Sequence, residues 1–136
     1  MKKIVAAALL SFVLYSCTDT KKQEKDLLNE VIKIHDEVMA KDGLLMTNKM
    51  QLDTLIKESK NPALSAPATA LVAALDSADS KMENWMHNFD AENKGKSHEQ
   101  IMTYLAGQKQ QIEAIDKQLN ASVAASSQFI KQNKTK

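Results

Sequence analysis

The chain contains no arginine; all 18 of its basic residues are lysine. Without the planar guanidinium fork there is no bidentate reader of phosphate or guanine. The lysines form no basic stripe that would release counterions from a phosphate backbone, so nucleic acid is not an expected partner. There is one cysteine, so no disulfide can form within the chain. Three glycines and two prolines among 136 residues leave long stretches of Ala, Leu, Lys, Gln and Glu, which lose little rotamer freedom in a helix. Aromatics make up only 4%, so the core must come from Leu, Ile, Val, Met and Ala, which suits a long thin bundle. The longest apolar run spans residues 4–14, short of the ~20 residues a membrane-spanning helix needs.

That run is nevertheless informative. Lys2 and Lys3 precede it, and it ends in Leu14-Tyr15-Ser16-Cys17. Leu three places before Cys and a small residue just before it resemble the lipobox of bacterial lipoprotein signals, with Tyr15 a less usual filler. The resemblance implies cleavage before Cys17 and diacylglycerol on its sulfur. Several acyl chains, at ~0.8 kcal/mol per buried CH₂, anchor a protein permanently where one chain does not. Residues 1–16 thus read as a signal peptide and 17–25 as the lipidated Cys17 with a short polar tether. Residues 26–132 read as the folded domain and 133–136 as a frayed tail. Removal of Lys2 and Lys3 leaves 16 basic against 17 acidic residues, a net charge of −1.

The domain carries three apolar stripes at helical spacing. Val31, Val38, Leu45 and Leu52 keep a seven-residue repeat from about residue 23 to 59, in phase across Gly43, which predicts one continuous or gently bent helix. Leu71, Leu75, Ala78, Met82, Trp85 and Phe89 alternate steps of four and three, the seam of a helix packed between others. Its start falls at Asn61-Pro62 or at Ser65-Ala66-Pro67, both suited to an N-cap with Pro following. Ser97 and Gln100 form a capping box ahead of the third stripe, Ile101, Leu105, Gln108, Ile112, Ile115, Leu119, Ser122, Ser126 and Phe129. Ala121, Ala124 and Ala125 there would allow close backbone approach. The predicted fold is all-α: an elongated antiparallel up-down-up three-helix bundle with coiled-coil-like packing.

Folding the second helix back about residue 61 sets His35 level with His87 and Met39 level with Glu83. Folding the third back about residue 94 sets Trp85 level with Thr103. His35, Met39, Met82 and Met86 then share one region with Trp85, Tyr104 and Gln108. Thioether and imidazole suit Cu(I), a Trp face can sit against a bound cation, and Met/His ligation can hold heme. Met at helical spacing is otherwise core filler. The triplet His35-Asp36-Glu37 projects ~100° apart per residue and cannot converge on one substrate atom. No nucleophile–base or carboxylate pair stands out, so no enzyme activity, catalytic residue or cofactor is expected.

The segment His35-Asp36-Glu37-Val38-Met39, with Trp85-Met86, Phe89 and Tyr104-Leu105 downstream, resembles a group of small lipoproteins of Bacteroidota, some of which carry the label "viral A-type inclusion protein". In that group a Pro follows the Met and a further Met lies two beyond it; here those places hold Ala40 and Asp42. The resemblance implies no activity and supplies no catalytic residues. It leads to the expectation of a lipid-anchored cell-envelope bundle, at the outer membrane, that binds an envelope protein or a second copy of itself. Exposed apolar area at Ile32, Met46, Val72 and Ile130 would mark such contacts. The alternative is a Cu(I) or heme carrier using His35, Met39, Met82 and Met86.

Overall fold

The structure is a computed structural model that describes the backbone of residues 2–133 and the side chains of residues 19–133. The side chains of Cys17 and of the expected signal peptide lie outside what is described, as do residues 134–136. The chain forms four helices, α1 (Lys2–Met39), α2 (Asp42–Glu58), α3 (Pro62–Asn88) and α4 (His98–Asn133), and no strand occurs among the described residues. They pack as a helical bundle around one continuous core.

The first stripe is carried by α1 and α2 together. Between them lies a two-residue turn at Ala40 and Lys41, in which the Lys41 N–H donates to the Val38 carbonyl at 2.9 Å, three residues back instead of four. Normal spacing resumes when the Leu45 N–H reaches the Lys41 carbonyl at 3.0 Å. This single tight step needs no proline, and it precedes Gly43, which sits inside α2 with open space where a Cβ would be. The expected continuous helix is therefore interrupted, yet its phase survives. Val31, Val38, Leu45 and Leu52 are all buried, on both sides of the turn. A tight step costs little because burial on the common face decides the register.

The Asn61 side chain accepts from the Ala63 N–H at 3.0 Å with Pro62 at the first helical position, so α3 starts at the first of the two possible caps. Pro67 falls inside the helix on its exposed side. The buried face is Ala68, Leu75, Ala78, Met82 and Trp85, with Leu71 and Phe89 partly buried against it. The capping box of α4 forms in both directions: Ser97 N–H donates to Gln100 Oε1 at 2.8 Å, and Gln100 N–H to Ser97 Oγ at 3.3 Å. Before it, Asp90 Oδ1 accepts from the backbone N–H groups of Glu92 and Asn93, and Lys96 Nζ donates to Asp90 Oδ2 at 2.5 Å. Lys96 and these backbone donors hold the Asp90 carboxyl below its ordinary range. The turn closes through left-handed Asn93 (φ 50°) and Gly95 (φ 76°).

Cross-helix bonds fix how the helices run. Glu24 meets His98, Glu30 meets Lys109, Lys41 meets Asp116 and Asn48 meets Ser126, so α1–α2 and α4 advance in the same order. Lys49 pairs with Asp76 and His35 with Met86, so α3 advances in the opposite order. Residues 19–25, part of the expected short polar tether, are helical, and Glu24 among them reaches α4, with Oε1 2.7 Å from His98 Nδ1.

Near the far end, Asn48 is buried on the seam. Its Nδ2 donates to Ser127 Oγ at 2.7 Å, Ser126 Oγ at 2.9 Å and the Val123 carbonyl at 3.2 Å. Ser122 and Ser126 are buried there as expected, but Ala121, Ala124 and Ala125 face solvent and provide no close approach. The apolar contacts come from Val123 and Ile130, which are buried; Ile130 is thus not available as an exposed docking residue. Asn48→Ala would remove three buried contacts to α4, although Ser126 Oγ still donates to the Val123 carbonyl, and is expected to lower unfolding free energy by about 1–3 kcal/mol in urea titrations, whereas exposed Leu44→Ala should change it by less than about 0.5 kcal/mol.

Candidate functional site

The face of α1 beside its seam carries His35 toward α3. Its Nδ1 lies 3.1 Å from Asp36 Oδ1 and its Nε2 lies 3.4 Å from Met86 Sδ. Adjacent His35 and Asp36 do meet, through the flexibility of the carboxylate arm, while Glu37 points to Lys33 at 3.9 Å. The triplet therefore does not converge. The His35 ring stacks on Trp85 (centroids 5.9 Å apart), Trp85 on Phe89 (4.7 Å) and Phe89 on Tyr104 (6.2 Å). Four rings thus cross from α1 over α3 to α4. The Tyr104 hydroxyl accepts from the Asp90 N–H at 2.7 Å, and Lys96 Nζ sits 4.7 Å from the Tyr104 ring centroid. Trp85 Nε1 is buried and meets no acceptor among the described residues.

The expected layer is close on one side and shifted on the other. His35 meets Met86 and Trp85, within two residues of the predicted His87 level. Phe89 with Tyr104 and Ser77 with Gln118 bracket Trp85 between residues 104 and 118 of α4, beyond the predicted Thr103 level. The fold-back about residue 94 ignores the nine residues, 89–97, that the turn consumes.

Met39, Met82 and Met86 line one cavity of about 190 Å³ between the helices. Its polar lining is Asp42, Asp79 and Glu83, and no lysine lines it. Burial raises the Asp79 carboxyl above its ordinary value, and the charges of Glu83 and Asp42 raise it further, with Lys49 partly opposing. Sequence reasoning sets Glu83 level with Met39 but does not bring in Asp42 and Asp79, although spacing places them: Asp42 is three after Met39, and Asp79, Met82 and Met86 fall on one face of α3. Met82 is buried, whereas Met39 and Met86 are each 39% exposed. The His35 nitrogen and Met86 sulfur touch directly, so they do not stand on opposite sides of a plane as axial ligands of heme would.

Among the described residues no three His, Cys, Asp or Glu side chains gather as a metal site, and no helix is long and apolar enough to cross a membrane. No family model, curated protein or solved structure matches the chain.

The cavity acids set a pH dependence. The folded Asp79 carboxyl holds its proton more tightly than the unfolded one, so its ionisation disfavours folding above the acid range and has no effect below about pH 3.8, its ordinary value. Asp79→Asn is expected to raise Tm at pH 7. The gain should vanish below pH 3.8 in thermal melts followed by circular dichroism.

Proposed function

We propose that this chain is a lipid-anchored, non-enzymatic helical-bundle protein of the cell envelope. Acyl chains on Cys17 hold it at the outer membrane, and it works by binding an envelope protein or a second copy of itself. The observation that carries this reading is the placement of the only cysteine, directly after Lys2-Lys3, an apolar run and Leu14-Tyr15-Ser16. A lone cysteine has no partner within the chain, and this position suits lipidation.

The bundle supports a binding role. The order of the cross-helix bonds fits an up-down-up arrangement of three rods, with α1 and α2 sharing the first. The large apolar side chains of the three stripes are largely spent on one another, and the described residues offer no catalytic constellation to carry over into a mechanism. Glu24, seven residues after Cys17, is held by His98, so the α3–α4 turn lies at the anchored end. α2 leaves Leu44, Met46 and Met50 exposed, the last at 62%. Of the positions marked from the sequence, Ile32 and Met46 are exposed and Val72 is partly buried.

Cys17→Ala is expected to abolish incorporation of a clickable palmitate analogue and to move the chain from the membrane to the soluble fraction of cells. Membrane fractionation and labelling that stay at the level of the parent chain would contradict the anchor. A photo-cross-linker at Met50 should then capture a defined partner or a second copy; capture of neither would contradict the binding role.

A further inference from the structure

We infer that the bundle holds a soft monovalent cation of the Cu(I)/Ag(I) class between α1 and α3, ligated by His35 Nε2 and Met86 Sδ, with the thioethers of Met39 and Met82 completing its shell. This site stands on its own residues and does not depend on the lipid anchor.

The first observation is the pairing of atoms. Asp36 Oδ1 lies 3.1 Å from His35 Nδ1. An ionised carboxylate only accepts, so this contact suits the tautomer that carries the ring proton on Nδ1. On the neutral ring Nε2 then presents a lone pair, and it faces the lone pairs of Met86 Sδ at 3.4 Å. Two donors of electron pairs are held together across two helices, and an electrophile between them satisfies both. A carboxylate at Nδ1 is the kind of partner that orients a ligating imidazole. At lengths of ~2.0 Å to nitrogen and ~2.3 Å to sulfur, one ion can bond both atoms across the 3.4 Å separation.

The second observation is what surrounds the pair. Met39 and Met82 line the same cavity as Met86, and His35 reaches Met86 from the adjoining hollow that it lines with Ile32, Trp85 and Phe89. Thioether and imidazole together select Cu(I) over hard cations, and the unbranched Met side chain adapts to a ligand without moving the backbone. Asp42, Asp79 and Glu83 line that cavity with no lysine among them, which gives it a negative field toward a cation. The Trp85 ring stacks on His35 at 5.9 Å and presents a face to the same neighbourhood. The His35 side chain keeps 27% of its surface exposed, which leaves a path of entry. The competing occupant of the gap is a second ring proton on His35, which would donate to Met86 without any metal.

The chain has a single tryptophan, so its emission reports this site alone. The full chain in mild detergent would be titrated with Ag(I), and separately with Cu(I) against a chromogenic Cu(I) chelator. Trp85 emission is expected to fall and to saturate at one equivalent of Ag(I). Met86→Leu and His35→Gln should each weaken binding at least about tenfold, while Met50→Leu leaves it unchanged. In spectra of ¹³C-methyl-labelled methionine, the Met39, Met82 and Met86 signals should shift and those of Met46 and Met50 should stay. The labelled spectrum also shows whether each variant remains folded. No saturable binding of either ion would overturn the site and leave the proton as the occupant. Retained affinity in folded Met86→Leu and His35→Gln, or equal quenching by Zn(II), would overturn it as well.

Discussion

The structure depends on one constraint: a seven-residue repeat must stay on the same face over the whole first rod. Val31, Val38, Leu45 and Leu52 satisfy it, and all are buried although a turn separates the first two from the last two. A helix interruption ordinarily rotates the segment beyond it. Here the three-residue step at Lys41 is short enough that α2 resumes with its apolar edge still against α3 and α4. Because the core has so few aromatics, no other large surface could compensate for a lost register. Leu75, Ile112 and Leu119 find partners only if the first rod keeps its phase.

The turn also aims a charge. Lys41 reaches Asp116 on α4 at 2.6 Å, and Lys49, eight residues later, bonds Asp76 on α3. The two lysines grip the two neighbouring helices at the edges of the seam. Each pair keeps a quarter or more of its side-chain surface exposed, so each contributes modestly to stability and more to register. Asn48, buried between them and the C-terminal half of α4, does the same from inside, because its amide is satisfied only when Val123, Ser126 and Ser127 stand opposite. Above the turn the seam broadens into the ring row of His35, Trp85, Phe89 and Tyr104 and the methionine-lined cavity. In that region aliphatic packing is replaced by wider, softer side chains.

Periodicity makes much of this legible. The three stripes, the Asn61 cap and the Ser97–Gln100 box are local signals, and local signals survive into the structure when packing agrees with them. The hidden features depend on loop geometry or on orientation within a turn. The tight step at Ala40–Lys41 has no Pro or Gly of its own, so nothing in the sequence marks it. The register of α4 slips because the turn at residues 89–97 uses length for the Asp90 cap. Size alone would place Ala121, Ala124 and Ala125 inside, whereas the phase set by Leu119, Ser122 and Ser126 turns them outward. At the candidate site, spacing finds His35, Met82 and Met86. It sets Glu83 level with Met39 but does not bring Asp42 and Asp79 beside them, because in the sequence those two read as part of a solvated face.

Native-state hydrogen exchange tests most directly whether one continuous seam makes α1 and α2 a single cooperative unit with α3 and α4. Amides of Val31, Leu52, Leu75 and Ile112 would be followed in increasing denaturant by NMR. The expected result is a common, highest opening free energy and a common denaturant slope for all four, with faster exchange only at helix ends. Separate opening of Leu52 at low denaturant, while Val31 stays protected, would show that the phase across the turn does not hold the rod together.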